Sequence, residues 1–326
     1  MFTHCPGCLN KENNTPFVVR EMIFGTREEF RYERCSKCGS CYLIDNINNF
    51  SKFYPSGYHT DFREEPFLKR WLWKQIYYVN FFKKWLIWKV LREIFYKLKK
   101  YYPEPNIWWV WEAYRMLENK NKDISIVDLG CGFGTLLHQI RVLWFNNLLG
   151  VEPHFINHST DVHIENITIE RFLVKHEQEK RFDIVILSHT FEHFLNQEEI
   201  LHWLEKVLKD DGVIVLAMPV IGGAFEKFWK NWLSFDAPRH VSIFTDKWFQ
   251  IMVNRTNLVI ENAIYEQTAW ELARSELYSW DISFNQIKDL KIPDIDIKKY
   301  QILADALNKA KSWWSSVTYF LRKKKK

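Results

Sequence analysis

A glycine-rich turn directly after a short apolar run is the feature that most restricts how this chain can fold. The segment "IVDLGCGFGTL" covers residues 126–136 and contains Gly130, Gly132 and Gly134. The apolar run predicts a buried strand, and the following "FGTLLHQIRVLW" predicts a helix with one apolar face. A strand, a tight turn and a helix in this order predict an α/β sheet with a ligand at the carboxyl end of the strand.

Strands and helices continue to alternate after this turn. The runs "NLLGVEP", "FDIVILSH" and "GVIVLAMP" predict further strands, and "EEILHWLEKVLK" predicts a helix between the last two. Such alternation is typical of a parallel sheet with right-handed crossovers. Near the end of the chain, residues 269–311 predict a helical insertion, and "SSVTYFLRK" predicts a final strand.

The glycine turn differs from a dinucleotide-binding turn in its spacing and its charge. The glycines follow a G-x-G-x-G pattern, and Asp128 stands directly before them. A carboxylate at the strand end would disfavour a pyrophosphate and would favour a cationic ligand. Glu152 ends the next predicted strand, where a carboxylate can accept both hydroxyls of a ribose. These charges favour S-adenosylmethionine, which carries an ammonium, a sulfonium and a ribose.

The four segments "VDLGCGFG", "GVEP", "FDIVILSHTFEHF" and "LKDDGVIVLAMP" resemble, in order and spacing, the motifs of class I S-adenosylmethionine-dependent methyltransferases. The resemblance covers about residues 120–265 and implies a Rossmann-like, parallel seven-stranded sheet whose last strand is antiparallel. It also implies that the three glycines approach the methionine and ribose and that Glu152 holds the ribose. Four further residues are implied to line the cofactor site: Thr168 and Ile169 beside the adenine, and Ser188 and His189 at the fourth strand.

Four of the six cysteines form two Cys-x-x-Cys pairs, Cys5 with Cys8 and Cys35 with Cys38. Paired thiolates at this spacing predict a structural zinc ion in an N-terminal zinc ribbon, with short strands between the pairs. Two disulfides are the alternative, which the lack of a recognisable export signal disfavours. Cys41 is expected to be a bystander, although Cys41 or His4 could replace one of the four ligands.

Zinc-binding cysteines beside such a domain also resemble the sugar C-methyltransferases, in which a loop histidine acts as base. The matching residue is His240, but the glutamate that precedes it in that family is Arg239 here. Arg239 could bind an acidic acceptor, or it could form a local ion pair with Asp236. The surrounding loop at residues 219–245 is long and aromatic, which predicts a lid over the acceptor. His193, after the fourth strand, is a second candidate base, or a residue that only pins the turn.

Residues 67–100 form a basic, aromatic segment without glycine or proline that predicts a helix. Its aromatic side could pack on the next domain, or the helix could lie on an anionic membrane surface. No specific nucleic-acid partner is expected, because the net charge is only +5 and no recognition motif accompanies it. No run of apolar residues reaches the length that crosses a bilayer, so we expect a cytoplasmic protein, or one held at the membrane surface.

The sequence thus predicts a zinc-ribbon lobe at residues 1–60, a basic helical segment at 61–118 and a methyltransferase domain at 119–326. The expected reaction is methyl transfer from S-adenosylmethionine to a small acceptor, such as a sugar, a sugar nucleotide or a glycolipid. A catalytically inactive scaffold at membranes is one alternative. A nicotinamide-dependent oxidoreductase is another, disfavoured by Asp128 and the glycine spacing.

Overall fold

A computed structural model describes residues 2–54, 68, 70–71, 108–121, 123–143, 145–154, 162–289, 297–310 and 314–325. The chain forms two compact units. The first unit comprises Met1–Pro55, Leu187–Glu205 and Ile214–Lys326, and the second comprises Ser56–Ile186 and Lys206–Val213. The predicted basic helix at residues 67–100 lies outside the described residues except for positions 68, 70 and 71, so its membrane contact stays a prediction.

The strands and helices of the described residues are numbered in chain order. Strands β1 to β11 are Thr15–Arg20, Glu29–Arg34, Cys41–Leu43, Ile126–Leu129, Leu148–Val151, His163–Glu165, Phe182–Ser188, Leu208–Pro219, Ser242–Ile243, Leu258–Glu266 and Ser316–Lys323. Helices α1 to α9 are Trp108–Met116, Thr135–Val142, Ile169–His176, Gln197–Val207, Gly223–Phe228, Asp246–Asn254, Ala269–Ser279, Phe284–Asp289 and Ile297–Lys309. Threonines 168, 245 and 268 cap α3, α6 and α7, each accepting a hydrogen bond from a backbone N–H of the first turn.

Seven strands form one mixed sheet in the order β10-β11-β8-β7-β4-β5-β6. Strand β4 pairs in parallel with β5 and β7, and β5 pairs in parallel with β6. Strand β11 is antiparallel to both β8 and β10. Every residue of β4 and β5 is buried, as expected for strands covered on both faces. The predicted Rossmann-like fold with an antiparallel last strand is therefore confirmed.

A second sheet lies in the first unit and has the antiparallel order β1-β2-β3-β9. The predicted strands between the cysteine pairs are β1 and β2. Strand β9 is only two residues long and comes from the loop after β8. This loop therefore supplies an edge strand to the N-terminal sheet.

The aromatic loop at residues 219–245 packs several of its side chains into the core, and its role as a lid over the acceptor stays a prediction. Trp232, Phe235 and Phe244 are at most 1% exposed. Trp232 and Phe235 pack with residues of β1, β2 and α7 in one apolar cluster. The Trp232 indole also donates to the buried carboxylate of Glu271 on α7 (2.9 Å). Large aromatic side chains held this way bury too much apolar surface to open readily.

The first cysteine pair packs directly against α6. Gly7 lies under the indole of Trp248, so close that an added Cβ atom would fall 0.5 Å from the indole nitrogen. Trp248 is fully buried and stacks on Phe244, with ring centroids 3.9 Å apart. Gly39, in the second pair, has a φ of +78°, which favours glycine. Among the described residues, no helix combines the length and apolar character that crossing a membrane requires.

Replacing Gly7 with alanine should push Trp248 out of its place. We expect Gly7→Ala to lower the free energy of unfolding by about 1–3 kcal/mol, because a methyl group overpacks the site. In a Trp248→Ala background the same change should cost little, because the indole is gone. Urea denaturation of the four proteins of this cycle measures the coupling. Equal costs in both backgrounds would contradict the packing described above.

Candidate functional site

The glycine turn after β4 has a backbone that only glycine adopts easily. Gly130, Gly132 and Gly134 have φ angles of +82°, +53° and +74°. Side chains at three left-handed positions would strain the turn, so the glycines are required by its shape. The turn closes with a hydrogen bond from the Gly134 N–H to the Cys131 carbonyl (2.9 Å) and leads directly into α2.

Two buried carboxylates accompany this turn, and we call them, together with the three glycines, the cradle. Asp128 and Glu152 are 3% and 5% exposed. Glu152 accepts hydrogen bonds from the N–H groups of Gly132 (3.1 Å) and His154 (3.0 Å), and so braces the turn. Burial, with a smaller contribution from the Glu152 charge, raises the pKa of Asp128 to about 7. A cationic ligand would relieve the cost of holding both acids in their charged forms.

The other residues predicted to line the cofactor site lie at the ends of elements. Thr168 caps α3, and Ile169 is its buried first residue. Ser188 is the half-buried last residue of β7, and the His189 side chain is 58% exposed. Cys131, which we did not expect to act as a nucleophile, packs where a Cβ atom on Gly150 would meet its sulfur at 2.6 Å. Their contacts with a cofactor stay predictions.

Both predicted catalytic histidines lie in the first unit beside a glutamate. Glu192, His193 and His240, the His–Glu cluster, each offer one ligand atom within 4.8 Å of the others. Glu192 is fully buried, and neither of its carboxylate oxygens has a hydrogen-bond partner among the described residues. Its Oε1 lies 3.6 Å from His240 Nε2 and 3.5 Å from His189 Nδ1.

The hydrogen bonds of the two histidines fix which ring nitrogen carries the proton. His193 Nδ1 lies 2.9 Å from the Arg239 carbonyl, and His240 Nδ1 lies 2.7 Å from the Ser234 carbonyl. A carbonyl oxygen can only accept, so each Nδ1 is the donor, and in a neutral ring Nε2 carries the lone pair. Burial, and then the neighbouring His240, lower the pKa of His193 to about 4, which keeps its imidazole neutral.

Arg239 contacts the cluster through its backbone carbonyl, and its side chain is not available to an acceptor. Its side chain is 0% exposed and pairs with Asp236 and with the buried Glu21, whose Oε1 is 3.0 Å away. It also donates to the Phe53 carbonyl (3.0 Å). The local ion pair with Asp236 is therefore confirmed, and binding of an acidic acceptor by Arg239 is excluded by its burial.

The N-terminal sheet holds the segment that carries His240. The Tyr32 hydroxyl donates to the His240 carbonyl (2.9 Å), and Leu43 N–H donates to the Val241 carbonyl (2.8 Å). Val241 N–H in turn donates to the Glu192 carbonyl (3.0 Å). The two halves of the His–Glu cluster are thus joined through backbone bonds.

The four predicted zinc ligands come together as expected from their spacing. Cys5, Cys8, Cys35 and Cys38 place their sulfurs within 4.8 Å of one another. The shortest separations are 3.5 Å, between Cys5 and Cys38, and 3.4 Å, between Cys8 and Cys35. These distances exceed a disulfide bond of about 2.05 Å, so the cysteines are free thiols. Cys41 and His4 lie outside this cluster.

Sequence reasoning missed Glu192 as a member of the site. The signal available was an acid directly before His193 in "FEHF", where the turn after β7 faces inward. It also missed Tyr54, whose hydroxyl lies 3.1 Å from His193 Nδ1. Nothing in the sequence pairs Tyr54 with a histidine 139 positions away.

Residues 112–263 match the family model Methyltransf_23, described as a methyltransferase domain. This range contains the cradle and the His–Glu cluster. A search of curated proteins finds no match.

Similar solved structures include several methyltransferases and related enzymes. The cyclopropane synthase MmaA2 from Mycobacterium tuberculosis shares 16% identity over 68% of this chain and 85% of that chain, with a TM-score of 0.43. Geranyl diphosphate C-methyltransferase from Streptomyces coelicolor A3(2) shares 11% identity over 66% of this chain and 77% of that chain, with a TM-score of 0.44. A SAM-dependent methyltransferase from Archaeoglobus fulgidus shares 15% identity over 70% of this chain and 91% of that chain, with a TM-score of 0.42.

The raised pKa of Asp128 predicts a pH-dependent cost to stability. Between its unfolded value of about 4 and its folded value of about 7, the folded chain holds a proton that the unfolded chain releases. Stability contributed by this group is therefore lost as the pH rises through that window. An asparagine side chain does not titrate in this window. As the pH rises through it, the free energy of unfolding of Asp128→Asn should therefore increase relative to that of the native chain, by up to about 4 kcal/mol.

Urea denaturation of both proteins at about pH 4.5 and about pH 7.5 tests this expectation. The exposed Asp123 is the matched control, because Asp123→Asn should follow the native chain at both pH values. A pH-independent difference for Asp128→Asn would show that Asp128 titrates normally.

Proposed function

We propose, from the premise that this chain is an S-adenosylmethionine-dependent methyltransferase, that its acceptor is a sugar-containing small molecule such as a sugar nucleotide or a lipid-linked glycan. The match to a methyltransferase domain disfavours the nicotinamide-dependent alternative. Support for a sugar acceptor comes from the combination of paired cysteines with a loop histidine, His240, as in the sugar C-methyltransferases. The His–Glu cluster is the observation that carries the proposal, because it places two imidazole side chains beside a buried carboxylate.

In this proposal the cradle binds the cofactor, which supplies the methyl group. Asp128 and Glu152 would face the positive charge and the ribose, and the turn at residues 130–134 would let the backbone come close. The charged form of Asp128 would be favoured by a cationic ligand, so binding should release a proton near neutral pH.

The acceptor would be served by the Nε2 lone pairs of His240 and His193. Transfer breaks the sulfur–methyl bond, forms an oxygen–methyl or carbon–methyl bond and leaves S-adenosylhomocysteine. A hydroxyl or carbon acceptor must also lose a proton, which His240 Nε2 can take. Glu192, 3.6 Å away, would stabilise the resulting imidazolium. An amine acceptor would have less need of such a base.

A labelled-methyl transfer assay against fractionated sugar nucleotides and glycolipids tests the proposal. We expect His240→Ala to bind S-adenosylmethionine as the native chain does but to transfer methyl groups at least about a hundredfold more slowly. We expect Asp128→Ala and Glu152→Ala to weaken cofactor binding at least about tenfold, measured by calorimetry. The exposed His202 provides the control, because His202→Ala should change neither quantity.

Two results would count against this proposal. A native chain that releases no heat with S-adenosylmethionine would remove the cofactor role of the cradle. Cofactor binding without transfer to any fraction would favour the inactive scaffold instead.

The four clustered cysteines support a structural zinc ion in the N-terminal lobe. Four sulfurs about 2.3 Å from one tetrahedral ion lie about 3.8 Å apart. The observed separations of 3.4 and 3.5 Å approach this value without a bond between the sulfurs. A fully thiolate set leaves no open position, so the ion would stabilise and would not react. Thr245, which donates to the Cys38 carbonyl (2.8 Å), would link the ion to the segment after β9.

Cobalt substitution tests the zinc proposal. The native chain should show thiolate-to-cobalt absorption, and Cys38→Ser should lose at least about a quarter of it, because one of four thiolates is missing. Cys41→Ser is the matched control, since Cys41 is buried in β3 outside the cluster. We also expect Cys38→Ser to lower the thermal unfolding midpoint, because structural zinc adds to folding free energy. Equal absorption in both variants would contradict the assigned ligands.

A further inference from the structure

We infer that Glu192, His193 and His240 bind a divalent metal ion, separate from the zinc ion proposed for the four cysteines. The three side chains offer two imidazole nitrogens and one carboxylate oxygen within 4.8 Å of one another. Two ligands about 2.1 Å from a tetrahedral ion lie about 3.4 Å apart. The separation of 3.6 Å between Glu192 Oε1 and His240 Nε2 is close to this value and too long for a hydrogen bond.

The outer hydrogen bonds of both histidines match those of metal ligands. A ligating histidine usually donates its second ring N–H to a backbone carbonyl or a carboxylate, which fixes the ring and its tautomer. His193 donates to the Arg239 carbonyl and His240 to the Ser234 carbonyl. In the neutral ring each Nε2 therefore carries a lone pair that a metal ion can accept, and neither ring can then donate a hydrogen bond to Glu192.

The buried charges around the cluster also favour a cation. Glu192 is fully buried, and its oxygens have no hydrogen-bond donor among the described residues. Asp236 and the buried Glu21 both pair with Arg239, so two carboxylates already share this guanidinium. His189 is the other base near Glu192, but its side chain is 58% exposed and water screens any charge it carries. A divalent ion would offset the negative charge of the fully buried Glu192 carboxylate.

The donor set indicates which ions would bind. Two histidines and one carboxylate suit Zn²⁺, Co²⁺, Mn²⁺ or Fe²⁺ and leave coordination positions open. The role of the ion in the reaction rests on the proposed function. An acceptor hydroxyl would occupy an open coordination position, and the ion would lower the pKa of that hydroxyl. His240 would then act as a ligand, and the acceptor proton would pass to solvent.

Cobalt titration of the full chain tests the inference without cofactor or acceptor. The cysteine cluster is first loaded with one equivalent of Zn²⁺, and Co²⁺ is then added. We expect a second equivalent to bind with visible absorption but without the thiolate band. Glu192→Gln should weaken this binding at least about tenfold, and His240→Ala should remove it. His202→Ala, which changes an exposed histidine on α4, should bind as the native chain does.

Binding to the native chain decides the matter even if a variant fails to fold, which circular dichroism would reveal. A zinc-loaded native chain that binds no Co²⁺ would overturn the inference, as would equal binding by folded Glu192→Gln. Either result would leave the proposed methyl transfer intact, with His240 as base. If the native chain binds Co²⁺ as expected but transfers no methyl group to any acceptor fraction, only the proposed function is contradicted.

Discussion

The buried guanidinium of Arg239 is the interaction on which the first unit's site depends. It pairs with Asp236 three residues earlier and with Glu21, which lies 218 residues away between β1 and β2. Glu21 also accepts from the backbone N–H groups of Phe24 and Thr26, so the acid is fixed before it meets the arginine. Losing the guanidinium would leave Glu21 buried without a charge partner, at a cost of about 3–5 kcal/mol. The backbone carbonyl of the same arginine sets the tautomer of His193.

This arrangement makes the N-terminal lobe part of the site in structural terms. The loop after β8 contributes β9 to the N-terminal sheet, and Tyr32 binds the carbonyl of His240. The aromatic side chains of the loop fill the core between that sheet and α7. A histidine on a free loop would sample many orientations. Here its ring has a backbone partner, its carbonyl has a side-chain partner, and its segment lies in a sheet.

The cradle in the second unit depends on a different balance. Its glycines permit a turn with three left-handed residues, and Glu152 braces that turn through the Gly132 N–H. Asp128 is almost completely shielded from water, and burial raises its pKa. Holding two charged acids near each other is unfavourable for the free protein, and a bound cation would remove this cost. The buried acids of the cradle therefore lower the stability of the free protein, and binding of a cationic ligand would restore that stability.

Much of the fold followed from local patterns that act over a few residues. Continuous apolar runs marked the buried strands, glycines marked the turn after β4, and the Cys-x-x-Cys spacing marked four residues that do come together. Each of these signals is local because a strand, a turn or a Cys-x-x-Cys pair is specified by its own residues.

The pairing of Arg239 with Glu21 and the inward position of Glu192 had no such signal. They arise only when distant segments pack, because burial decides whether a charge needs a partner. The sequence therefore determined the sheet, the cradle glycines and the cysteine pairs. Tertiary packing alone decided that the aromatic loop is core, that Arg239 is closed to ligands, and that Glu192 lies beside His193 and His240.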